Sequence, residues 1–273
     1  MKFGTCNEYF EGWAIEAVFE YCAEIGFDGV EIAPYTLAES VDEISATRRE
    51  EIRRAAAGAG VEIIGLHWLL ISPKGLYMNH PDDELRNKTR DYFRSLVRFC
   101  GDLGGSVMIF GSPQQRNVQD GWDYQETWDR TRSVFEDCLD LAEEHGVYLC
   151  IEPLSKDQTN IVTTAAEARK LVSEIDHPNF QAMVDVRSGS TEEVPVARLL
   201  EETVDQLYHV HLNDANGRGP GFGDTDFTEI LQTLKNLEYQ RYASVEVFDF
   251  KPDPRTIAAA SLAYCRGIQA AER

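Results

Sequence analysis

The sequence has little positive charge. Against 47 Asp and Glu it carries 26 Lys and Arg, for a net charge of −21 and a pI near 4.6. Such a surface repels nucleic-acid phosphates and anionic lipid, both of which need basic patches, but leaves a divalent cation or a neutral substrate unopposed. No apolar run reaches the roughly eighteen residues of a membrane span. The opening stretch MKFGTCNEYF lacks the apolar centre of a signal peptide. Six cysteines (Cys6, Cys22, Cys100, Cys138, Cys150 and Cys265) show no CxxC spacing, and several sit in apolar runs. Reduced core thiols in a cytoplasmic protein are the expectation. There is no linker or low-complexity tract, so residues 1–273 read as a single domain. Hydrophobic residues at 43% and charged residues at 27% are ordinary for a globular chain, and this length buries a core without disulfide staples.

Short apolar runs alternate with longer amphipathic ones. Strands are predicted at residues 2–6, 29–34, 61–69, 106–111, 147–154, 180–186, 207–212 and 242–250. Helices are predicted at 13–25, 46–59, 83–103, 124–145, 164–175, 196–203, 227–237 and 254–268. Ile15, Val18, Phe19, Cys22 and Ile25 share one face of the first helix. Thr163 or Thr164 suits an N-cap, as does Asp226 with Glu229 three residues on. Eight strands, each followed by a helix, imply parallel pairing with right-handed crossovers. In a chain of this length they make a single (β/α)8 TIM barrel. An open doubly wound sheet would carry a glycine-rich phosphate turn after an early strand, and residues 6–12 have none.

Active sites of such barrels stand at the C-terminal strand ends. There the last four strands carry Glu152, Asp185, His211 and Glu246, in the contexts IEPL, MVDV, HVHL and SVEVF. An ionisable group in an apolar run is costly unless paired or bound to a metal. Four on consecutive strands converge on one side of the mouth. Three carboxylates and an imidazole form a hard ligand set suited to Mn²⁺ or Mg²⁺, open to Co²⁺ and less suited to Zn²⁺. A metal-free hydrogen-bonded network is the alternative, but clustered carboxylates repel one another and take up protons. His209 and His211 share a strand face and also fit a purely structural reading.

Glu152-Pro153-Leu154, Asn160-Ile161-Val162-Thr163-Thr164, Asp185, His209-Val210-His211, Pro220-Gly221-Phe222-Gly223 and Glu246 together resemble the xylose isomerase-like TIM barrels. Within them the chain is most similar, over its whole length, to the D-tagatose 3-epimerase group of sugar isomerases and epimerases. The resemblance implies that the four residues hold a divalent metal and that Glu152 and Glu246 also form the acid–base pair. One removes the proton beside a ketose carbonyl to give a cis-enediolate, and the other returns a proton on the opposite face. It also implies a homo-oligomer, dimer or tetramer. The chain departs from the group at Ser188, often His there, and at Gln158, often Glu. Arg218 matches the group's loop arginine only with a shift of one place. These positions touch substrate oxygens in the group, so the metal chemistry carries over better than the substrate.

His67, ending the third strand, either bonds a sugar hydroxyl or orients another polar side chain. Trp68 faces the other way by alternation and reads as packing. Glu31 shares a strand face with Gly29 and Ala33 and reads as the partner of a histidine such as His209. Lys156, Asn160, Gln115 with its neighbours Gln114 and Arg116, and Arg218 are candidates to contact substrate oxygens. The loops 72–81 and 112–123 are long enough for lids, with Tyr77, Trp122 and Phe248 as an apolar wall. The glycine-rich loop 217–223 has only Arg218 and the more distant Lys251 to meet a phosphate, which favours an unphosphorylated ketose. A dehydratase of inosose or dehydroshikimate type would begin with the same proton abstraction. An apurinic endonuclease needs a three-zinc cluster and a basic groove, for which six His and a charge of −21 are unsuited. A non-catalytic sugar-binding barrel would not need two glutamates flanking a metal.

Overall fold

Alternation in the strand segments gives each one a face for a barrel interior and one for surrounding helices. The structure, a computed structural model, describes residues 1–271 and pairs all eight strands in chain order, parallel, into a closed barrel. The strands are β1 Lys2–Cys6, β2 Gly29–Ile32, β3 Glu62–Leu66, β4 Val107–Phe110, β5 Tyr148–Ile151, β6 Phe180–Asp185, β7 Leu207–Leu212 and β8 Tyr242–Val245. The helices are α1 Ile15–Ile25, α2 Ala46–Ala59, α3 Asp83–Asp102, α4 Tyr124–Glu144, α5 Ala165–Ile175, α6 Val186–Gly189, α7 Val196–Thr203, α8 Phe227–Asn236 and α9 Pro254–Ala271. Side-chain oxygens of Ser45, Asp82, Asp123, Thr164 and Asp226 accept from first-turn amides and start five of the helices.

Two differences from the sequence reading bear on the site. Several strands are shorter than their apolar runs: β3 ends at Leu66, β5 at Ile151 and β8 at Val245. The apolar sequence continues because Leu69, Leu154 and Val247 are buried as loop residues. The first residue past each ladder is still anchored: His67 donates its amide to the Ile32 carbonyl, Glu152 to Phe110 and Glu246 to Leu212. The second difference is α6, which the sequence reading did not include. It follows β6 directly because Asp185 caps it, Oδ1 accepting from the Ser188 amide at 2.6 Å.

Ile64, Val107, Ile109, Cys150 and Met183 pack as a small cluster of their own, separate from the larger core between barrel and helices. Two residues on from Cys150, Met183, His209 and Ser244, on the same strand faces, come Glu152, Asp185, His211 and Glu246. Among the described residues no helix is long and apolar enough to cross a membrane, and all six cysteines are free and buried.

Gly65 lies so close to β4 that a Cβ there would collide with the Val107 carbonyl. Gly65→Ala is expected to destabilise the fold by about 2 kcal/mol or more, since backbone rather than a flexible side chain must move. A thermal melt followed by circular dichroism checks this, and an unchanged midpoint would contradict the close packing of β3 on β4.

Candidate metal centre and active site

The four strand-end residues come together. Ligand atoms of Glu152, Asp185, His211 and Glu246 all lie within 4.8 Å of one another, and all four residues are buried. His211 Nδ1 stands 3.4 Å from Glu152 Oε1 and 3.1 Å from Glu246 Oε2. Asn213, one residue past β7, donates Nδ2 to Asp185 Oδ2 at 2.5 Å and to Glu246 Oε2 at 3.4 Å. Its own Oδ1 accepts from the Arg187 amide. The sequence reading gave Asn213 no role; its full burial beside Asp185 emerges only from the fold.

Beneath the cluster Glu31 is fully buried between two imidazoles. Its Oε1 is 2.6 Å from His209 Nε2 and its Oε2 is 3.2 Å from His211 Nε2. Burial opposes its charge, yet the two histidines outweigh burial and hold the carboxyl well below the usual range. The expected pairing of Glu31 with His209 is present, and His211 joins it. With Nε2 facing Glu31, the other ring nitrogen of His211 faces the carboxylates, and that buried Nδ1 has no hydrogen-bond partner. This is the arrangement of a carboxylate-oriented histidine ligand.

Burial pushes His211 down, but Glu246 and Glu31 outweigh it and hold the imidazole well above its ordinary value. Asp185 is raised, first by burial and then by the charge of Glu152. Carboxylate charge contributes to both shifts, through Glu152 at Asp185 and through Glu246 and Glu31 at His211. A divalent cation fits the four ligand atoms, with a donor set of three carboxylates and one imidazole.

Glu152 and Glu246 of the cluster reach a cleft that is also lined by His67, Trp68, Gly111 and Phe248, among others. Glu152 Oε2 fits against Gly111 so closely that a Cβ there would strike it. Arg116 is fully buried and donates to the backbone carbonyls of Glu152 (2.8 Å), Phe110 and Val162, fixing the Glu152 loop from behind; burial pushes its guanidinium down to about 10.

A sequence profile described as "Xylose isomerase-like TIM barrel" matches residues 19–268. The chain belongs to that family. A 3-dehydro-D-guloside 4-epimerase of Escherichia coli (strain K12) is 26% identical over 97% of this chain and 99% of its own length. A D-psicose 3-epimerase of Ruminiclostridium cellulolyticum is 26% identical over 91% of this chain and 84% of its own. A solved D-psicose 3-epimerase with D-tagatose, from Clostridium cellulolyticum H10, superposes with a TM-score of 0.87 over 98% of this chain and 99% of that one, at 22% identity. At that identity the superposition speaks for the fold.

The remaining family-pattern and candidate residues separate into two groups. His67 lines the cleft and its Nε2 lies 2.8 Å from Glu8 Oε2, so it has a side-chain partner of its own. Gln158 lines the cleft too, and its Oε1 accepts from Ser155 at 2.7 Å and from Ser188 at 3.4 Å. The two departures from the group's pattern are therefore in contact. Trp68 was expected to face away. Its backbone is left-handed, with φ 52, which breaks the alternation and turns the indole into the cleft wall, where Nε1 donates to Glu246 Oε1 at 3.1 Å.

The other candidates are placed elsewhere. Asn160 ties the Glu152 loop to Val118, accepting its amide and donating to its carbonyl, both at 2.8 Å. Lys156 is exposed beside Thr163, Thr191 and Glu192, and Arg218 stacks on Phe222 and donates to the Lys251 carbonyl. The Gln115 carbonyl accepts from Met78, one of several bonds that join loops 72–81 and 112–123 into one rim. Tyr77 and Trp122 pack on each other in that rim, while Phe248 reaches the cleft.

Glu31→Gln removes the charge that orients His211 while keeping the side-chain shape. Mn²⁺ affinity is expected to fall by about 10- to 100-fold, the usual effect of losing such a partner. Isothermal titration calorimetry checks it, and wild-type affinity would deny Glu31 this role.

Proposed function

We propose that this chain is a divalent-metal-dependent epimerase or isomerase of a ketose or keto-sugar, acting by proton removal and return beside the carbonyl. The observation that carries the reading is the placement of Glu152 and Glu246. Both line one cleft, both offer a carboxylate oxygen to the same four-residue cluster, and they come from β5 and β8, which are not neighbours in the barrel. Two carboxylates reaching one cleft from separate strands can flank a substrate carbon. The names of the relatives in Escherichia coli and Ruminiclostridium cellulolyticum, both sugar epimerases, favour the same reading.

Glu152, Asp185, His211 and Glu246 would hold the metal, with Mn²⁺ the preferred ion. Bound there, it supplies Lewis-acid polarisation of a carbonyl and charge stabilisation of an enediolate. The residues supply the rest. One glutamate takes the proton from the carbon beside the carbonyl, and the other delivers a proton to the opposite face, inverting the centre. Asn213 and Arg116 keep the carboxylates and their loop from rotating, so proton transfer occurs from fixed positions. Trp68, Phe248 and Leu154 give the cleft an apolar wall. Gln158, Ser188 and His67 are neutral or histidine groups suited to hydroxyls, which favours an unphosphorylated substrate.

Incubation in D₂O with Mn²⁺ and a panel of ketoses and keto-glycosides is expected to show deuterium uptake beside the carbonyl by NMR, abolished by chelation. Absence of uptake with every substrate would remove the enolisation chemistry. Glu152→Gln and Glu246→Gln are each expected to lower turnover by about 10³-fold or more while ligand binding persists, as for loss of a proton carrier. Normal turnover in either variant would sink the acid–base assignment.

A further inference from the structure

Trp68 is held in a conformation that a bulky side chain disfavours. Left-handed backbone at a tryptophan persists only where the surroundings impose it, and such outliers gather at functional sites. Here the result is a single polar contact: indole Nε1 donates to Glu246 Oε1 at 3.1 Å. The other oxygen of that carboxylate, Oε2, faces His211 Nδ1 and Asn213 Nδ2. Glu246 is therefore gripped at both ends, with Oε2 committed to the ligand cluster and Oε1 turned to the cleft. An indole N–H is a donor only, so it occupies one lone pair of Oε1 without competing for a proton. Edge contacts hold the ring itself, Tyr35 at 6.5 Å and Phe248 at 6.3 Å between centroids. At Glu152, Arg116 reaches the backbone carbonyl and not the carboxylate.

We infer that Trp68 is a positioning residue for Glu246, its N–H setting the direction in which Oε1 takes or gives the substrate proton. The inference rests on the proposed acid–base role of Glu246. A carboxylate bound through one oxygen can still swing the other out of line with the carbon acid. The indole removes that freedom by holding Oε1.

Trp68→Phe keeps the ring and deletes the donor. Using the full-length, Mn²⁺-loaded protein and a ketose that the wild type turns over, kcat is expected to fall by about 10- to 100-fold, the scale of a lost bond to a charged group. KM and Mn²⁺ affinity are expected to stay within about twofold, because ring packing and the Oε2 side of the carboxylate are unchanged. Deuterium exchange driven from the Glu152 face should persist for one of the two epimers while inversion slows. In the metal-free protein, with four tryptophans in all, the indole N–H resonance that disappears in Trp68→Phe should shift in Glu246→Gln. Wild-type kcat in Trp68→Phe, a parallel loss of Mn²⁺ affinity, or an indole resonance indifferent to Glu246→Gln would each overturn the inference. If Trp68→Phe lowers the thermal midpoint, Trp68→His decides: it retains an N–H, so recovered turnover supports the role and turnover as low as in the Phe variant overturns it. Glu246→Gln separates the two levels. Turnover in that variant removes the acid–base reading and this inference with it, whereas loss there with wild-type kcat in Trp68→Phe removes this inference alone.

Discussion

Glu31 is a carboxylate with no accessible surface, held in the middle of a barrel between two imidazoles. A buried charge of this kind survives only when paired, and the pairing fixes more than the charge. Facing Nε2 of His211, Glu31 determines which ring nitrogen remains for the mouth. Alternation along β7 places His209 and His211 on one face, and Glu31 on β2 meets both across the barrel interior. The upper cluster inherits its geometry from this contact. Three carboxylates gather around the Nδ1 atom that Glu31 leaves free, and that excess of negative charge is what a cation would neutralise.

The barrel was legible from eight alternating strand–helix units, and the convergence of Glu152, Asp185, His211 and Glu246 from period two. An apolar strand that carries an ionisable group two residues beyond an interior position delivers that group to the mouth, and β5, β6, β7 and β8 all do so. Trp68 was misjudged for the same reason: alternation is a rule for strands, and β3 had ended at Leu66. Past that point a single left-handed residue reverses the expected direction. Asn213 and Arg116 were obscured differently. Their importance lies in contacts to groups distant in sequence, and neither residue type announces such a partner. Arg116 in a polar loop reads as a solvated or substrate-facing cation, whereas the fold buries it against three backbone carbonyls.

Asn160 shows how a family motif can be structural and still sit beside the site. Its side chain pairs with both backbone groups of Val118, as a strand neighbour would, and so joins the loop after β5 to the loop after β4. The same two loops are joined through Arg116 beneath and through the Thr159–Asn117 bond beside it. Glu152 therefore stands on a cross-braced loop pair, which suits its proposed role in proton transfer.

The proposed division between metal holders and substrate contacts follows from where each residue is mounted. Glu152, Asp185, His211 and Glu246 stand within one residue of the strand ends, in a register set by the closed ladder. Gln158 and Ser188 stand on a loop and on the short helix capped by Asp185, where sequence drifts without disturbing the barrel. The two departures from the group's pattern touch each other at 3.4 Å. Where the group often has an acid and an imidazole, this chain has an amide and a hydroxyl, neutral groups that bond hydroxyls without favouring an anion. On the proposed reading the acid–base carboxylates are mounted at the strand ends, while Gln158 on its loop presents a neutral group to the same cleft, so substrate choice can vary at the loops without moving the carboxylates.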